Sequence, residues 1–201
     1  MSNATKTTIL GAAALGLLLA ASPAESQDRW GVELRGGGGV AAQDIGTPEV
    51  SYANFGFEGT VRYRFQPHLA VYAGWDWISF RPDDGLEGIE DDFEETGYAF
   101  GLRFEHPFSG ETGEGPAYWL RAGGTYDHVE VEGEEGEIVA DSGHGLGWEA
   151  GAGVSLGLGD TWRLTPGVRY RSLSRDVTVG ALEIPLDLDY FLFEVGFART
   201  F

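Results

Sequence analysis

The sequence predicts an all-β protein, an eight-stranded antiparallel up-and-down transmembrane β-barrel. Three observations support this prediction. Apolar and aromatic residues recur at every second position in eight segments, a period typical of strands with one apolar face. The connections between these segments alternate between short and long, as they do in barrels that cross a membrane. The last segment, Asp187–Phe201, has phenylalanines in this period and ends on an aromatic residue.

The N-terminal segment predicts export. Lys6 precedes an apolar run from Ile9 to Ala21, and small residues follow, which is the pattern of a secretory signal peptide. The run is too short to span a bilayer comfortably as a helix. We therefore expect a signal peptide over residues 1–24, with cleavage after Ser26 as the alternative, and a barrel domain over residues 25–201.

Eight alternating segments follow the signal peptide. Each is close to the ~9–11 residues that a tilted strand needs to cross a bilayer. The predicted strands are Arg29–Val40, Ala53–Phe65, Leu69–Phe80, Thr96–Glu105, Ala117–Val129, Gly145–Leu158, Trp162–Ser172 and Asp187–Phe201. Two positions should disturb them. Pro166 cannot donate a ladder hydrogen bond and predicts a β-bulge, and Gly36–Gly39 predicts a poorly paired end of the first strand.

The connections divide into two classes. Gln66–His68 and Gly159–Thr161 are predicted tight turns, and His106–Pro116 is a longer turn at the same end. Long loops are predicted at the other end over Ala41–Tyr52, Arg81–Glu95, Glu130–His144 and Leu173–Leu188. The second and third loops are strongly acidic, in line with a net charge of −19 that excludes nucleic acid as a partner.

The two faces of the strands differ in chemistry. One face is apolar and aromatic, and its large side chains are too bulky for a narrow eight-stranded interior, so we expect it to face lipid. The other face carries glycines and charges of both signs. Arginine pairs with carboxylates through a planar fork, so these charges predict an ion-pair network that fills the lumen. Its predicted members are Glu33, Arg35, Glu58, Arg62, Arg64, Asp76, Arg103, Arg121, Asp127, Glu149, Arg163, Arg169, Arg171 and Glu194. A narrow polar channel is the alternative.

These features resemble the bacterial outer-membrane β-barrel family, in the small OmpA/OmpX-like class. The resemblance covers essentially the whole mature chain. It implies that the last strand, through Phe193, Val195, Phe197 and Phe201, is the signal read by the barrel-assembly machinery, with Arg199 departing from the family's apolar pattern. It also implies a Gram-negative outer membrane, both termini in the periplasm, and outer-membrane lipid and lipopolysaccharide as partners.

We predict no catalytic, cofactor-binding or metal-binding residues. Lipid-modifying enzymes of this class need a serine activated by a histidine, and the His-x-Ser pattern of the family is missing. If the protein were a lipid A deacylase-like enzyme, His144 or His128 would act with Ser142. The acidic loops lack the ligand spacing of a calcium loop. Divalent cations that bridge these loops to lipopolysaccharide phosphates are a hypothesis.

The sequence thus favours a non-enzymatic role in envelope integrity or surface interaction. A lipid-modifying enzyme is one alternative. A narrow channel, or a binder of small apolar ligands, is another.

Overall fold

The computed structural model describes residues 29–41, 52–82, 92–109, 115–132, 138–179 and 182–201. Over these ranges the chain forms strands that all pair antiparallel. The strands are β1 (Trp30–Ala41), β2 (Tyr52–Gln66), β3 (Leu69–Pro82), β4 (Asp92–Pro107), β5 (Ala117–Glu132), β6 (Ile138–Asp141), β7 (Gly145–Gly157), β8 (Trp162–Val179) and β9 (Leu182–Thr200). Across these same ranges, no helix is long and apolar enough to cross a membrane.

The sheet closes on itself because β1 pairs with β9. Each strand otherwise pairs with its neighbour in the chain, except that β5 pairs with both β6 and β7. The short β6 and the longer β7 therefore share one position in the barrel. The predicted eight-stranded up-and-down barrel is confirmed. The predicted signal peptide and the tips of the long loops lie outside the described residues.

The two ends of the barrel are named here by their connections. The short-turn end holds the turn at Pro67–His68, the turn at residues 158–161 and the C-terminal residue. The backbone N–H of Phe201 donates to the carbonyl of Trp30 at 2.9 Å, which joins the last strand to the first at this end. The long-loop end is the opposite end.

Several strands continue further toward the long-loop end than predicted. The predicted loop Leu173–Leu188 is mostly a hairpin, because β8 and β9 pair continuously from Leu173↔Leu188 to Val179↔Leu182. Likewise β4 already begins at Asp92, within a predicted acidic loop. The acidic residues interrupt the alternating pattern from which strands are predicted. The strands form all the same, because hydrogen bonds between paired strands satisfy their backbone groups.

Both predicted irregularities were wrong. Pro166 interrupts the β7–β8 ladder, but the register is the same on either side of it, as Gly153↔Gly167 and Leu156↔Leu164 show. Proline thus removes a rung without inserting a residue. Gly36–Gly39 pairs fully with both β2 and β9. A Cβ on Gly37 would collide with backbone atoms of Phe193 and Glu194, so glycine permits a close approach of β1 to β9 there.

Side chains alternate between the outside and the lumen along the strands, and β9 shows this clearly. On β9, Phe193 and Phe197 are 61% and 54% exposed, whereas the intervening Glu194 is buried. The predicted assembly-signal residues of β9 therefore lie on its outer face, with Val195 between these phenylalanines. Around the middle of the barrel the outside is apolar and the buried inside is polar, which is the reverse of a water-soluble barrel.

Candidate functional site: the lumen

The middle of the lumen holds a cluster of buried arginines and carboxylates, called here the central cluster. Its arginines lie on β5 and β8, and its carboxylates come from β2, β3, β4, β7 and β9. The members are Arg121, Arg169, Arg171, Glu58, Asp76, Glu95, Glu149 and Glu194. The period of two brings them to one face of each strand, and barrel closure then brings the faces together.

Glu149 lies at the centre of this cluster. It pairs with Arg121, with Arg169 at 3.1 Å and with Arg171 at 3.1 Å. The hydroxyl of Tyr72 donates to the same carboxylate at 2.6 Å. Three guanidinium groups thus share one carboxylate. This excess of positive charge can be buried in a low-dielectric site only because each guanidinium also has other carboxylate partners.

Those other partners complete the pairing. Arg121 donates to Glu58 at 2.7 Å, and Arg169 contacts both Glu58 and Glu194, the latter at 2.6 Å. Arg171 forms a two-pronged contact with Asp76, at 2.9 and 2.7 Å, and pairs with Glu95 at 2.6 Å. The sequence pattern predicts Glu95 in an acidic loop. The structure places it in β4, fully buried, because β4 begins earlier than predicted.

A second group of charges lies next to the central cluster on the side of the short-turn end. Glu33 pairs with Arg35 at 2.5 Å and with Arg103 at 2.8 Å, and it accepts a hydrogen bond from Thr165. Arg35 also lies 3.5 Å from Glu194, which connects the two groups. The lumen charges therefore form a continuous network from β1 around to β9.

Trp119 fills the lumen beside this second group and is not among the predicted lumen residues. Its ring is fully buried, with the guanidinium carbons of Arg35 and Arg103 at 4.8 and 4.7 Å from the ring centre. Such contacts are cation–π interactions. Trp119 is two positions from Arg121 and so in phase with the lumen face of β5, and this period was the signal that could have found it.

An apolar layer fills the lumen on the other side of the central cluster, toward the long-loop end. Its members are Ile78, Phe80, Val129, Ala140, Leu173, Leu188, Tyr190 and Leu192, and all are buried. Phe80 and Tyr190 meet edge to face at 5.1 Å, and the Tyr190 hydroxyl donates to Glu95 at 2.7 Å. The prediction of charges alone in the lumen was therefore incomplete, since several of these positions lay in predicted loops.

A cavity of about 420 Å³ opens at the short-turn end, and it holds the remaining predicted arginines. Arg62, Arg64, Arg103 and Arg163 line it together with Glu105. Glu105 lies 3.3 Å from Arg62 and 3.9 Å from Arg163. Arg62 and Arg103 are buried, whereas Arg64 and Arg163 are only half-buried. The last two thus belong to the mouth of the barrel and not to the central cluster.

Asp127 completes the set of predicted lumen residues. It is buried on β5, accepts a hydrogen bond from Thr125 at 3.0 Å, and lies 3.7 Å from Arg171. It therefore borders the central cluster at its long-loop side.

The histidines considered for catalysis lie at the long-loop end, outside the lumen. The Ser142 hydroxyl donates to the carbonyl of Gly143 at 3.0 Å and accepts from the N–H of Val129 at 2.8 Å. His128 and His144 stack on each other at 4.4 Å, and the nearest carboxylate to His128 is Asp141, at 3.4 Å. Among the described residues, the hydrogen bonds of Ser142 thus go to backbone groups and not to an imidazole.

Comparisons with known proteins agree with this architecture. The chain is similar to Neisserial surface protein A, with 15% identity, a TM-score of 0.63, and coverage of 86% of this chain and 97% of that one. It is also similar to the outer membrane protein OprG from Pseudomonas aeruginosa, with 15% identity, a TM-score of 0.55, and coverage of 87% and 97%. No curated protein sequence matches. A family model described as the outer membrane protein beta-barrel domain matches residues 10–201, so the chain belongs to this family of Gram-negative outer-membrane barrels.

Proposed function

We propose that this protein is a non-enzymatic outer-membrane barrel with a closed lumen, which contributes to envelope integrity or surface interaction. The observation that carries this proposal is the stack of three buried layers that fills the lumen. Trp119, the central cluster and the apolar layer follow one another along the barrel axis from the short-turn end to the long-loop end, and their side chains are buried.

Closure follows from the packing of these layers. A channel needs a continuous path of water, and each buried guanidinium of the central cluster contacts carboxylates on other strands across the lumen. The apolar layer offers water no hydrogen-bonding partners apart from the Tyr190 hydroxyl, which is already bonded to Glu95. The cavity at the short-turn end is lined by Arg103, which also pairs with Glu33, so that cavity ends at the network of buried charges.

The orientation in the membrane is also part of the proposal. Barrels of this kind have short turns on the periplasmic side and longer loops outside the cell. We therefore assign the short-turn end, with both termini, to the periplasm. The long-loop end then meets lipopolysaccharide, and the acidic loops are the surface offered to external partners and to divalent cations.

Planar-bilayer recording tests the closed lumen. We expect the refolded barrel to give no discrete conductance steps. A variant that opens all three layers without changing net charge should conduct, because water can then pass through the lumen. It combines Trp119→Ala with Glu58→Ser and Arg169→Ser in the central cluster and with Phe80→Ala and Tyr190→Ala in the apolar layer. The matched control is Trp148→Ala, which removes an equally large side chain from the lipid-facing side, where Trp148 is 51% exposed. Steps from the unchanged protein would contradict the proposal.

Mass spectrometry of lipid A tests the non-enzymatic role. Lipid A from cells with and without this protein should have the same acyl composition, because the Ser142 hydroxyl is bonded to backbone groups and not poised beside a base. Loss of an acyl chain that depends on the protein, and that Ser142→Ala abolishes, would favour the enzyme instead.

A further inference from the structure

We propose that His128, Glu130 and Asp141 form a binding site for a divalent transition-metal ion of the zinc class at the long-loop end of the barrel. Among the described residues these three offer one ligand atom each, and all three atoms lie within 4.8 Å of one another. The site lies outside the lumen and is independent of lumen closure.

The sheet itself brings the three residues together. Glu130 on β5 is paired directly with Asp141 on β6. His128 precedes Glu130 by two residues and therefore lies on the same face of β5. Two carboxylates directly opposite each other on neighbouring strands repel, and this costs stability. A bound divalent cation converts this repulsion into attraction, so the placement of these side chains favours cation binding.

The distances fit metal coordination better than hydrogen bonding. Nδ1 of His128 lies 3.4 Å from Oδ1 of Asp141 and 3.7 Å from Oε1 of Glu130. Both distances are long for a hydrogen bond between nitrogen and oxygen. Ligands about 2.1 Å from a tetrahedral zinc ion are separated from each other by about 3.4 Å. The two pairs that include Nδ1 of His128 are thus close to the edge length of a coordination tetrahedron, and the two carboxylate oxygens lie within 4.8 Å of each other.

The residues around the site hold the ligands in place. The N–H of Gly143 donates to Oδ1 of Asp141 at 2.7 Å. Gly143 has a φ of 66°, a conformation that favours glycine, and it allows the chain to turn between β6 and β7. Two hydrogen bonds join Ser142 to Val129 of β5. The N–H of Ser142 donates to the carbonyl of Val129 at 3.0 Å, and the N–H of Val129 donates to the Ser142 hydroxyl at 2.8 Å.

His144 completes this support. Its ring stacks on that of His128 at 4.4 Å with an angle of 11° between the planes, which restricts the orientation of the ligand imidazole. Outer contacts of this kind orient metal ligands in known sites. The segment Asp141–His144, which contains Ser142 and His144 of the enzyme alternative, thus supplies one ligand and contacts that orient both Asp141 and His128.

The ligand types select the metal. Imidazole with carboxylates suits Zn²⁺ and its first-row neighbours, whereas Ca²⁺ prefers a shell of six to eight oxygens. Three protein ligands leave the fourth tetrahedral position for water or for an external group. Since side-chain exposure is 16% for His128, 23% for Glu130 and 49% for Asp141, an ion can enter directly from solvent.

The histidines at the opposite end provide a natural control. His68 and His106 also lie close, with ring centres 4.6 Å apart. Their Nδ1 atoms face backbone carbonyl oxygens instead of carboxylates, that of Glu105 at 3.0 Å and that of Pro107 at 2.7 Å. Within the described ranges, only the His128 group brings three metal-ligating side chains together.

Calorimetric titration with ZnCl₂ tests the site, using the mature barrel refolded in detergent without a polyhistidine tag. We expect saturable binding of about one Zn²⁺ per barrel. The variants His128→Ala and Asp141→Asn should lose this binding, and the control His68→Ala should retain it. A heat-modifiable gel shift verifies that each variant is folded. The imidazole nitrogen resonances of His128 should shift with Zn²⁺, and those of His68 and His106 should not.

Two results would overturn the proposal. One is the absence of saturable Zn²⁺ binding to the folded, unchanged barrel. The other is binding that His128→Ala leaves unaltered, which would assign the ion to carboxylates of the acidic loops. A parallel titration with CaCl₂ distinguishes the proposed site from loop carboxylates. Loop carboxylates alone would bind Ca²⁺ as well as Zn²⁺, whereas the proposed site should bind Zn²⁺ at least tenfold more tightly than Ca²⁺.

Discussion

Trp119 illustrates at the scale of one residue how a narrow barrel accepts a large lumenal side chain. The ring needs space on β7 and β8, and Gly153 and Gly167 provide it. A Cβ added to Gly167 would lie 2.7 Å from an edge carbon of the Trp119 ring and 2.7 Å from the carbonyl oxygen of Ala152. Glycine at this position is therefore required by a close approach and not by backbone conformation.

Gly167→Ala should therefore destabilise the barrel by about 1–3 kcal/mol, the usual cost of overpacking. The measurement is the free energy of unfolding from urea titration of the barrel refolded in lipid vesicles. The matched control is Gly59→Ala on β2, where an added Cβ meets nothing within 4 Å, so its cost should be close to zero. Combining Gly167→Ala with Trp119→Phe should restore part of the loss, and equal costs for Gly59 and Gly167 would contradict this packing.

The strands show, at the scale of the element, which parts of the fold a sequence can reveal. Where apolar residues alternate with charges or glycine, as in β9, the predicted and observed faces coincide. Strand ends were missed where acids break the pattern, as at Glu94 and Glu95 on β4. Here an acid is accommodated by a partner on the neighbouring strand, because the indole N–H of Trp77 on β3 donates to Glu94 at 3.0 Å. That pairing depends on the register between two strands, which a single strand's sequence does not contain.

The C-terminal strand contains the predicted assembly signal. Arg199, which departs from the apolar pattern, lies with its guanidinium carbon 5.6 Å from the ring centre of Trp162 and 5.1 Å from that of Phe201. These cation–π distances let an arginine occupy the outer face among aromatic neighbours. The departure is therefore compatible with an aromatic end to the strand.

Phe201→Ala should reduce the fraction of barrel assembled in outer membranes severalfold, because it removes the terminal aromatic of the predicted signal and one of the two ring contacts of Arg199. The readout is the folded fraction in a heat-modifiable gel shift of isolated membranes. Phe108→Ala is the matched control, since Phe108 is 60% exposed and lies in the connection after β4. Equal losses for the two variants would show that Phe201 acts only as another exposed aromatic.

At the scale of the whole molecule, the lumen network connects strands that do not touch in the sheet. Arg171 on β8 contacts Asp76 on β3 and Glu95 on β4, which lie across the barrel. The sequence allowed the types and the inward direction of these charges to be predicted. The sequence did not reveal which arginine pairs with which carboxylate. Partners such as Arg171 and Asp76 are 95 residues apart and meet only after the barrel closes.

This cross-barrel pairing predicts a large difference between two arginines. Arg171→Met should lower the free energy of unfolding by about 3–5 kcal/mol, because it leaves buried carboxylates with an uncompensated charge. Arg163→Met should cost only about 1 kcal/mol, because Arg163 lies at the mouth of the barrel with its nearest carboxylate at 3.9 Å, a weak ion pair. Urea titration in lipid vesicles measures both variants.

The double variant Asp76→Asn with Arg171→Met decides whether the cost of Arg171→Met comes from charge or from volume. Asn keeps the shape of Asp76 but removes one of the carboxylate charges that Arg171 balances. If an unbalanced charge is the cause, the double variant should be more stable than Arg171→Met alone. If the double variant is less stable than the unchanged protein by the sum of the two single costs, Arg171 contributes through packing. The lumen would then be held together by its fit and not by its ion pairs.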